Sequence, residues 1–324
     1  MPRGFRFSCL KADDVYLKTG EGKPTDIVIL YTFLLQMDVG WRDADMGYRV
    51  MGPTGVGKST FINNVLGRSD APAGGGFQSY TRQVAHYFID VSNNWKLAEA
   101  FEIGGQRIVL VDTPGFDDTE IPDSVLLRRI AVWLALSYNS GMKVGGIIYM
   151  YPVYPNRMTR NDRSNIKVFR EMCGNHALSK VVLATTRWDI CPPEIGGNRQ
   201  KEVLDTFWSN MRSESTPHTR EEATALWNSK ESAWDLIKLV LKRRADSHID
   251  GVVLKIQKQL VDKGKKFRET DAAQELRRKV KELIKESGST STQARNVKPR
   301  ALSAEAARLR LPLGARVSRA IGLS

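Results

Sequence analysis

One glycine-rich segment constrains the fold of this chain more than any other feature. It has the sequence Gly52-Pro53-Thr54-Gly55-Val56-Gly57-Lys58-Ser59, which matches the pattern G-x-x-x-x-G-K-[ST]. A short predicted strand, residues 48–51, precedes it and a helical pattern follows it. This order is typical of a phosphate-binding loop, in which backbone N–H groups curl around phosphates at a helix N-terminus. The alternative is an ordinary glycine-rich turn, which is disfavoured because the pattern occurs by chance in about one such chain in a hundred.

The last residues of this loop have separate expected roles. Lys58 is expected to bridge the β- and γ-phosphates of a nucleotide, and the Ser59 hydroxyl is expected to bind Mg²⁺. The predicted nucleotide-binding residues of the loop are Gly52, Pro53, Thr54, Gly55, Val56, Gly57, Lys58, Ser59 and Thr60.

A second motif, Asp112-Thr113-Pro114-Gly115, follows a predicted strand at residues 107–111. Asp112 is expected to hold Mg²⁺ through water, and the Gly115 N–H is expected to sense the γ-phosphate. The same residues also suit an ordinary turn. Their distance from Lys58 along the chain favours the nucleotide-binding interpretation.

A third motif, Thr186-Arg187-Trp188-Asp189, follows a predicted strand at residues 180–184. The Asp189 carboxylate can accept two hydrogen bonds from guanine N1 and N2, a pair of donors that adenine lacks. Arg187 stands where lysine is usual, and it can also stack on a base, although the two side chains are not interchangeable. The alternative interpretation of Asp189 is a helix-capping aspartate.

A loop rich in glycine and serine, residues 73–81, lies where the first switch of a nucleotide-dependent domain would fall. We predict Thr81 as the second protein ligand of Mg²⁺ in the triphosphate state, with Ser79 as the alternative. The predicted metal ligands are therefore Ser59, Thr81 and Asp112.

Apolar runs alternate with helical patterns over residues 48–244, which predicts an α/β, three-layer fold around a mostly parallel sheet. Besides the strands preceding the motifs, one strand is predicted at residues 144–151, and residues 85–91 and 97–103 suggest an antiparallel edge hairpin. Gly67 and Gly174 are expected to end helices. Helices are predicted at residues 59–66, 123–138, 161–172, 200–211 and 232–242.

The N-terminal region is irregular. Residues 26–30 have the composition of a buried strand that should run into the phosphate loop, but residues 31–47 intervene. The strand that does adjoin the loop is short and contains Arg49. We therefore treat residues 1–47 as an extension and residues 48–245 as the G domain, and hypothesise that residues 31–47 are an insertion or a gene-model artefact.

The C-terminal region carries most of the positive charge. Residues 252–324 contain 18 Lys and Arg against 7 Asp and Glu, which is +11 of the net +13. Residues 246–286 are predicted as a basic helical extension that is interrupted near Gly264, and Thr270 or Asp271 is expected to cap its second helix. Residues 287–324 are expected to be mostly disordered. The basic helices have three interpretations: packing on the G domain or a partner helix, binding an anionic membrane surface, or, less favoured for lack of interleaved aromatic residues, binding nucleic acid.

Together these motifs resemble those of the septin and immunity-associated GTPases, within the translation-factor-related class of P-loop GTPases. The resemblance covers residues 48–242 and is strongest to fungal proteins with a single G domain. It implies binding of GTP or GDP with Mg²⁺. The chain departs from this pattern at Arg187, in the displaced first strand, and in lacking a clear guanine-contacting Ser-Ala-Lys element, for which residues 228–230 are a candidate.

Catalysis is less well defined than binding. Phe116 stands where Ras-like enzymes have the glutamine that positions the attacking water, and an apolar side chain cannot orient water. Asp117 and Asp118 are interpreted as solvated acids, so we assign no catalytic residue. Turnover is therefore slow, or a partner completes the site. The resemblance implies a nucleotide-dependent homodimer through the G domain.

The remaining sequence features set the expected location and the competing functions. Three separated cysteines and no bilayer-length apolar run indicate a reducing, cytoplasmic protein without a signal peptide. A GTP-dependent switch or assembly GTPase is the main hypothesis. An ATP-using P-loop enzyme and a nucleotide-binding module without turnover are the alternatives.

Overall fold

The computed structural model describes most of residues 46–310. The described segments are residues 46–73, 84–89, 108–117, 121–139, 143–155, 158–208, 223–246, 251–288 and 298–310. The predicted strands at residues 26–30 and 97–103, the proposed insertion up to residue 45, and the switch residues Ser79 and Thr81 lie outside these segments.

Six strands in the described segments form one mostly parallel sheet in the order β2-β3-β1-β4-β5-β6. Only β2 runs antiparallel, along β3 at one edge of this sheet. The strands are β1 Met46–Met51, β2 Ala85–Ile89, β3 Ile108–Asp112, β4 Lys143–Pro152, β5 Val181–Thr186 and β6 Ala223–Ala225. The predicted α/β fold with a mostly parallel sheet is therefore confirmed, and the predicted strand bounds differ by one or two residues.

The helices fall between the strands as the alternating pattern predicts. They are α1 Lys58–Leu66, α2 Asp123–Asn139, α3 Arg160–Cys173, α4 Asn175–Leu178, α5 Pro193–Glu202, α6 Lys230–Asp246, α7 Lys255–Gln257, α8 Asp271–Gly288 and α9 Lys298–Arg308. Helices α5 and α7 continue into π-helical segments, Val203–Phe207 and Lys258–Asp262. The helix predicted at residues 200–211 begins earlier, at Pro193, because proline suits the first position of a helix. Gly67 and Gly174 end α1 and α3 with positive φ, as predicted.

Alternate residues of the strands pack on opposite sides of the sheet and create the three layers. On one side, Ile108, Leu110 and their equivalents in β4 and β5 pack against α1 and α6. On the other side, Val109, Val111 and their equivalents pack against α2 and α3. The parallel strands are thus buried on both faces, which explains their nearly continuous apolar sequences.

The strand that enters the phosphate loop is β1, at the centre of the sheet between β3 and β4. It begins at Met46, so the strand includes two residues that the sequence assigned to the N-terminal extension. Arg49 is fully buried, donates from Nη1 to the Gly47 carbonyl oxygen at 3.0 Å, and places its guanidinium 4.9 Å from the ring centroid of Trp133. Burial lowers the pKa of Arg49 to about 9, so the side chain stays charged at neutral pH.

The basic segment after α6 belongs to the same core as the sheet. The apolar positions Ile256, Leu260, Leu276 and Val280 are buried together with residues of α2 and α3. The interpretation that these helices pack on the G domain is therefore confirmed. In the described part of the chain, no helix is both long enough and apolar enough to cross a bilayer.

The expectation of a mostly disordered tail is wrong for residues 298–310. Helix α9 lies there and packs along α8, and Leu309 is buried in the core. The Glu305 carboxylate accepts a hydrogen bond from the Ser124 N–H at 2.8 Å, and the Gln274 amide donates to the Leu309 carbonyl oxygen at 3.1 Å. An Ala-, Arg- and Leu-rich sequence has high helix propensity, and contact with α8 stabilises the short helix.

Thr270, one of the two predicted capping residues, caps α8. Its Oγ1 accepts the Ala273 N–H at 3.3 Å and donates to the Phe267 carbonyl oxygen at 2.7 Å. The other candidate, Asp271, accepts instead from the Gln259 amide at 2.8 Å. Because Thr270 is fully buried, water cannot replace its hydroxyl.

We expect Thr270→Ala to lower the free energy of unfolding by about 1 to 2 kcal/mol, the usual value of a lost N-cap. Thr270→Ser keeps the hydroxyl and should lose less than half of that. Urea unfolding followed by circular dichroism measures both. Equal midpoints for Thr270→Ala and the unmodified protein would contradict a stabilising cap.

Candidate nucleotide-binding site

The predicted phosphate loop connects the end of β1 to the start of α1. Gly52 lies where the loop leaves the sheet, with φ of 143°, and a Cβ at this position would be 2.3 Å from the Met150 carbonyl oxygen of β4. A side chain at residue 52 would therefore force β1 and β4 apart. Gly57, with φ of 98°, forms the N-cap of α1, and its carbonyl oxygen accepts the Phe61 N–H at 2.9 Å. The loop thus ends at a helix N-terminus, as a phosphate site requires.

The Lys58 ammonium group lies over this loop. Its Nζ donates to the carbonyl oxygens of Pro53 at 2.8 Å and Gly52 at 3.2 Å. The residue is buried, so solvent screens its positive charge less and its attraction for a phosphate is stronger. Of the remaining predicted loop residues, Val56 is buried, whereas Thr60 is half-buried in the first turn of α1.

The two predicted Mg²⁺ ligands in the described segments lie side by side. The Ser59 hydroxyl donates to Asp112 Oδ2 at 2.7 Å, and both residues are buried. The register of β1 and β3 pairs Val50 with Asp112, so the carboxylate lies at the sheet edge from which the loop departs. A hydroxyl and a carboxylate are the oxygen ligands that Mg²⁺ prefers, and the pair fits that ion. The third predicted ligand, Thr81, is outside the described residues.

The loop that follows Asp112 packs directly on the phosphate loop. A Cβ on Gly115 would be 2.4 Å from the Thr54 nitrogen, so a larger residue cannot be accommodated here. The Thr54 N–H donates to the Phe116 carbonyl oxygen, and Thr54 Oγ1 donates to the Gly115 carbonyl oxygen, both at 3.1 Å. The residue predicted to sense a γ-phosphate is therefore in contact with the loop predicted to hold it.

Phe116 uses its side chain for packing. It is buried in the apolar cluster with residues of α2 and α3. The phenyl ring of Phe116 therefore stabilises the core. As expected from the sequence, it cannot orient a water molecule. The next residue, Asp117, is bound by several side chains, so its interpretation as a solvated acid is wrong.

The third motif braces the phosphate loop from the other side. Thr186 Oγ1 donates to the Val56 carbonyl oxygen at 3.1 Å, and Arg187 Nη2 donates to the Gly55 carbonyl oxygen at 2.7 Å. Arg187 has φ of 67°, which redirects the chain out of β5. These two residues, predicted to contact a nucleotide base, therefore also fix the conformation of the loop. The sequence did not predict this second role, because the contacts join segments more than a hundred residues apart in the chain.

Asp189 is exposed on the 3₁₀ turn Trp188–Ile190, where its carboxylate can accept hydrogen bonds from a ligand. The turn is anchored because Trp188 Nε1 donates to the Thr185 carbonyl oxygen at 2.9 Å. The Trp227 ring lies beside it, 6.0 Å from the Trp188 ring centroid, and the residue is 49% exposed. Trp227 was not a candidate from the sequence, because no strand was predicted at residues 223–225 and no motif marks this tryptophan. Its exposed ring beside the Asp189 turn makes it a further candidate for contact with a base.

The candidate guanine-contacting element at residues 228–230 has other bonds. Asn228 Oδ1 accepts the Asn64 amide at 3.0 Å, and Ser229 Oγ accepts the Ser232 N–H at 3.2 Å as α6 begins. These residues therefore link α1 to α6 and cap α6. Their contact with a base stays a prediction.

The fold and the site together define a P-loop G domain, the GTP-binding class of P-loop proteins. The motif residues all lie at the carboxyl ends of the parallel strands. They are the lysine and serine of the phosphate loop, the aspartate that ends β3 and the Thr-x-x-Asp motif after β5. Residues 49–210, half of the chain, match the model of the AIG1 family. The protein belongs to the AIG1 family. This match supports the immunity-associated branch of the resemblance, whereas its septin-like and fungal parts stay predictions.

The solved structures to which the chain is similar include the following three. Toc33 from Arabidopsis thaliana in complex with Mg²⁺ and GMPPNP has 17% identity and a TM-score of 0.48, covering 68% of this chain and 92% of that one. A structure described with the statement that dimerization is important for the GTPase activity of the chloroplast translocon components atToc33 and psToc159 has 17% identity and a TM-score of 0.49, covering 68% and 89%. An Era variant from Aquifex aeolicus bound to GDP·AlF₄⁻ has 17% identity and a TM-score of 0.43, covering 76% and 68%.

Because Arg187 braces the phosphate loop, we expect Arg187→Ala to weaken nucleotide binding about five- to tenfold, as for one charge-assisted hydrogen bond at an exposed position. The affinities for GDP and for GTP analogues should fall equally, because Arg187 fixes the same loop conformation for both nucleotides. Calorimetric titration measures the affinities. Arg308→Ala, which removes an exposed arginine from α9, is the control, and an Arg187→Ala affinity equal to that of the control would contradict the bracing role.

Proposed function

We propose that this protein binds GTP and GDP with Mg²⁺, hydrolyses GTP slowly and acts as a switch or assembly GTPase. The observation that carries the proposal is the 2.7 Å contact between Ser59 and Asp112 beneath a loop held open by Thr186 and Arg187. A loop braced on both sides is preorganised for a ligand, which reduces the ordering cost of binding.

Within this proposal each part of the nucleotide has its own residues. The backbone N–H groups of residues 52–60 and the Lys58 ammonium hold the phosphates. Ser59 and Asp112, with Thr81 as the expected third residue, hold Mg²⁺, which would neutralise phosphate charge when bound. Asp189 accepts hydrogen bonds from guanine, and Arg187 and Trp227 offer planar groups beside it.

We expect the purified protein to bind GTP and GDP in a Mg²⁺-dependent manner and to bind ATP far more weakly. Asp189→Asn should reduce guanine-nucleotide affinity about 10- to 100-fold, the value of one lost charge-assisted hydrogen bond, because the asparagine oxygen still accepts the other; it should also increase the affinity for xanthine nucleotides. Fluorescent-nucleotide titrations measure both.

Asp235→Asn is the matched control for this experiment, because Asp235 is an exposed aspartate on α6 whose partner is Lys238. An ATP-using P-loop enzyme, the main rival, predicts tighter ATP binding and no shift towards xanthine. Folded protein that has no preference for guanosine over adenosine nucleotides would refute the proposal.

Slow hydrolysis is part of the proposal because of Phe116 and Asp117. The phenyl ring is buried in the core and the carboxylate is bonded to other side chains, so neither is suited to orient an attacking water. We propose that a second copy of the chain contributes the missing group through a nucleotide-dependent homodimer. This part rests on the motif resemblance and on the occupation of these two side chains.

We expect the single-turnover rate constant of GTP hydrolysis to rise with protein concentration until the dimer saturates. Lys58→Ala, which should lose phosphate binding, is the inactive control. A rate constant independent of concentration would contradict dimer-assisted catalysis. Zero turnover at all concentrations, with binding intact, would support the alternative of a static nucleotide-binding module.

The location and the basic surface are further parts of the proposal. We propose a cytoplasmic protein, and the described cysteines, Cys173 and Cys191, are buried free thiols compatible with a reducing compartment. The apolar side of α8 packs on the domain, so any contact of this region with an anionic membrane or a partner helix would use exposed charges such as Lys281 and Lys285.

A further inference from the structure

The segment that follows the predicted γ-phosphate sensor is fixed by a dense set of polar contacts. Asp117 comes two residues after Gly115 and adopts φ of 62°, a left-handed conformation that is uncommon for a residue with a side chain. Its N–H donates to Asp123 Oδ1 at 2.9 Å, at the start of α2. The side-chain amides of Asn161 and Asn165, both on α3, donate to its two carboxylate oxygens. The backbone is thus held in a strained conformation by its surroundings.

The centre of these contacts is a lysine of the C-terminal region. Lys279, on α8, has a side chain that is 2% exposed. Its Nζ lies 2.9 Å from Asp117 Oδ1, 2.6 Å from Asp123 Oδ2 and 2.5 Å from Asn165 Oδ1. An ammonium group has three N–H donors, and three acceptors surround it. Burial alone would lower the pKa of Lys279, but Asp123 and Asp117 outweigh that effect and raise it, so the group is charged.

The Gly115–Asp117 segment is therefore held on two sides. On one side, the carbonyl oxygens of Gly115 and Phe116 accept hydrogen bonds from Thr54 of the phosphate loop. On the other side, the Asp117 carboxylate binds the buried lysine of α8. Removing one partner of a buried charged cluster leaves the other charges uncompensated, so this connection is costly to break.

We propose that Lys279 is a positioning residue that holds the Gly115–Asp117 segment in place for the γ-phosphate and thereby couples α8 to the triphosphate state of the nucleotide. This inference rests on the proposed function. In the proposed function Gly115 contacts the γ-phosphate, which a diphosphate lacks, so diphosphate binding does not require the segment to be fixed. Triphosphate binding does require a fixed segment. A segment released from Lys279 would have to become ordered when the triphosphate binds, and this cost lowers the affinity for the triphosphate.

Coupling of this kind is reciprocal. If Lys279 favours triphosphate binding, then triphosphate binding must stabilise the contact of α8 with Asp117 and Asp123 by the same free energy. Backbone amides of α8 should therefore exchange hydrogen more slowly in the triphosphate complex than in the diphosphate complex. This readout does not depend on hydrolysis.

The test compares Lys279→Met with Lys281→Met in the full-length protein. Both variants remove one lysine charge from α8, but Lys281 is exposed two residues further along. Affinities for GDP and for the nonhydrolysable analogue GMPPNP are measured with Mg²⁺, together with amide exchange over residues 271–288. For Lys279→Met we expect the ratio of GMPPNP to GDP affinity to fall about 5- to 20-fold, within the usual range of allosteric coupling, and the exchange difference to disappear. Lys281→Met should behave like the unmodified protein.

The outcomes separate this inference from the proposed function. An equal loss of both affinities in Lys279→Met, or no loss in either, would overturn the positioning role. Neither result would contradict the proposal that the unmodified protein binds GTP. Failure of the unmodified protein to bind either nucleotide would instead refute the proposed function. If Lys279→Met does not fold, Asp117→Asn replaces it, because it removes the charge that Lys279 binds and keeps the side-chain size. The same selective loss of GMPPNP affinity is then expected, and its absence overturns the inference.

Discussion

The hydrogen bond between the Ser59 hydroxyl and the Asp112 carboxylate joins two segments 53 residues apart, and the rest of the site is arranged around it. It forms because β1 and β3 are parallel neighbours whose carboxyl ends meet at one sheet edge. Gly52 allows the chain to leave β1 against the backbone of β4, which brings α1 and Ser59 over that edge. The central position of β1 is therefore the constraint that places a hydroxyl, a carboxylate and Lys58 within reach of one ligand.

The C-terminal basic region changes how this domain is delimited. Its apolar residues, including Leu276 and Val280, complete the same core as α2 and α3. Truncation before α8 would expose that surface and would also remove the ammonium group that neutralises Asp117 and Asp123. Lys279 of this basic segment therefore balances two carboxylates of the domain, and net charge alone does not identify an external anionic partner.

The fold and the motif residues followed from local sequence because each depends on short-range patterns. Alternating apolar runs predicted the sheet, and fixed spacing predicted Lys58, Ser59 and Asp112. The contacts of Arg49, Lys279 and α9 were not predictable in the same way. A lysine in a basic helix has the pattern of a solvated residue, and only the packing of α8 against α2 and α3 reveals that Lys279 is buried. Likewise, an Ala- and Arg-rich tail lacks its own core, and α9 is stabilised by contacts with α8 that no local pattern encodes.

The loop from Asp112 to Asp117 serves several structural roles at once, and this limits its chemistry. Asp112 binds Ser59, Gly115 and Phe116 bind the phosphate loop through their carbonyl oxygens, and the Phe116 ring fills the core. Asp117 is neutralised by Lys279. A side chain that orients water must remain free to approach the γ-phosphate, and these side chains are occupied by contacts that hold the loop in place. The rigidity that fits this loop to the proposed γ-phosphate contact therefore also supports the proposal that hydrolysis needs a group from elsewhere.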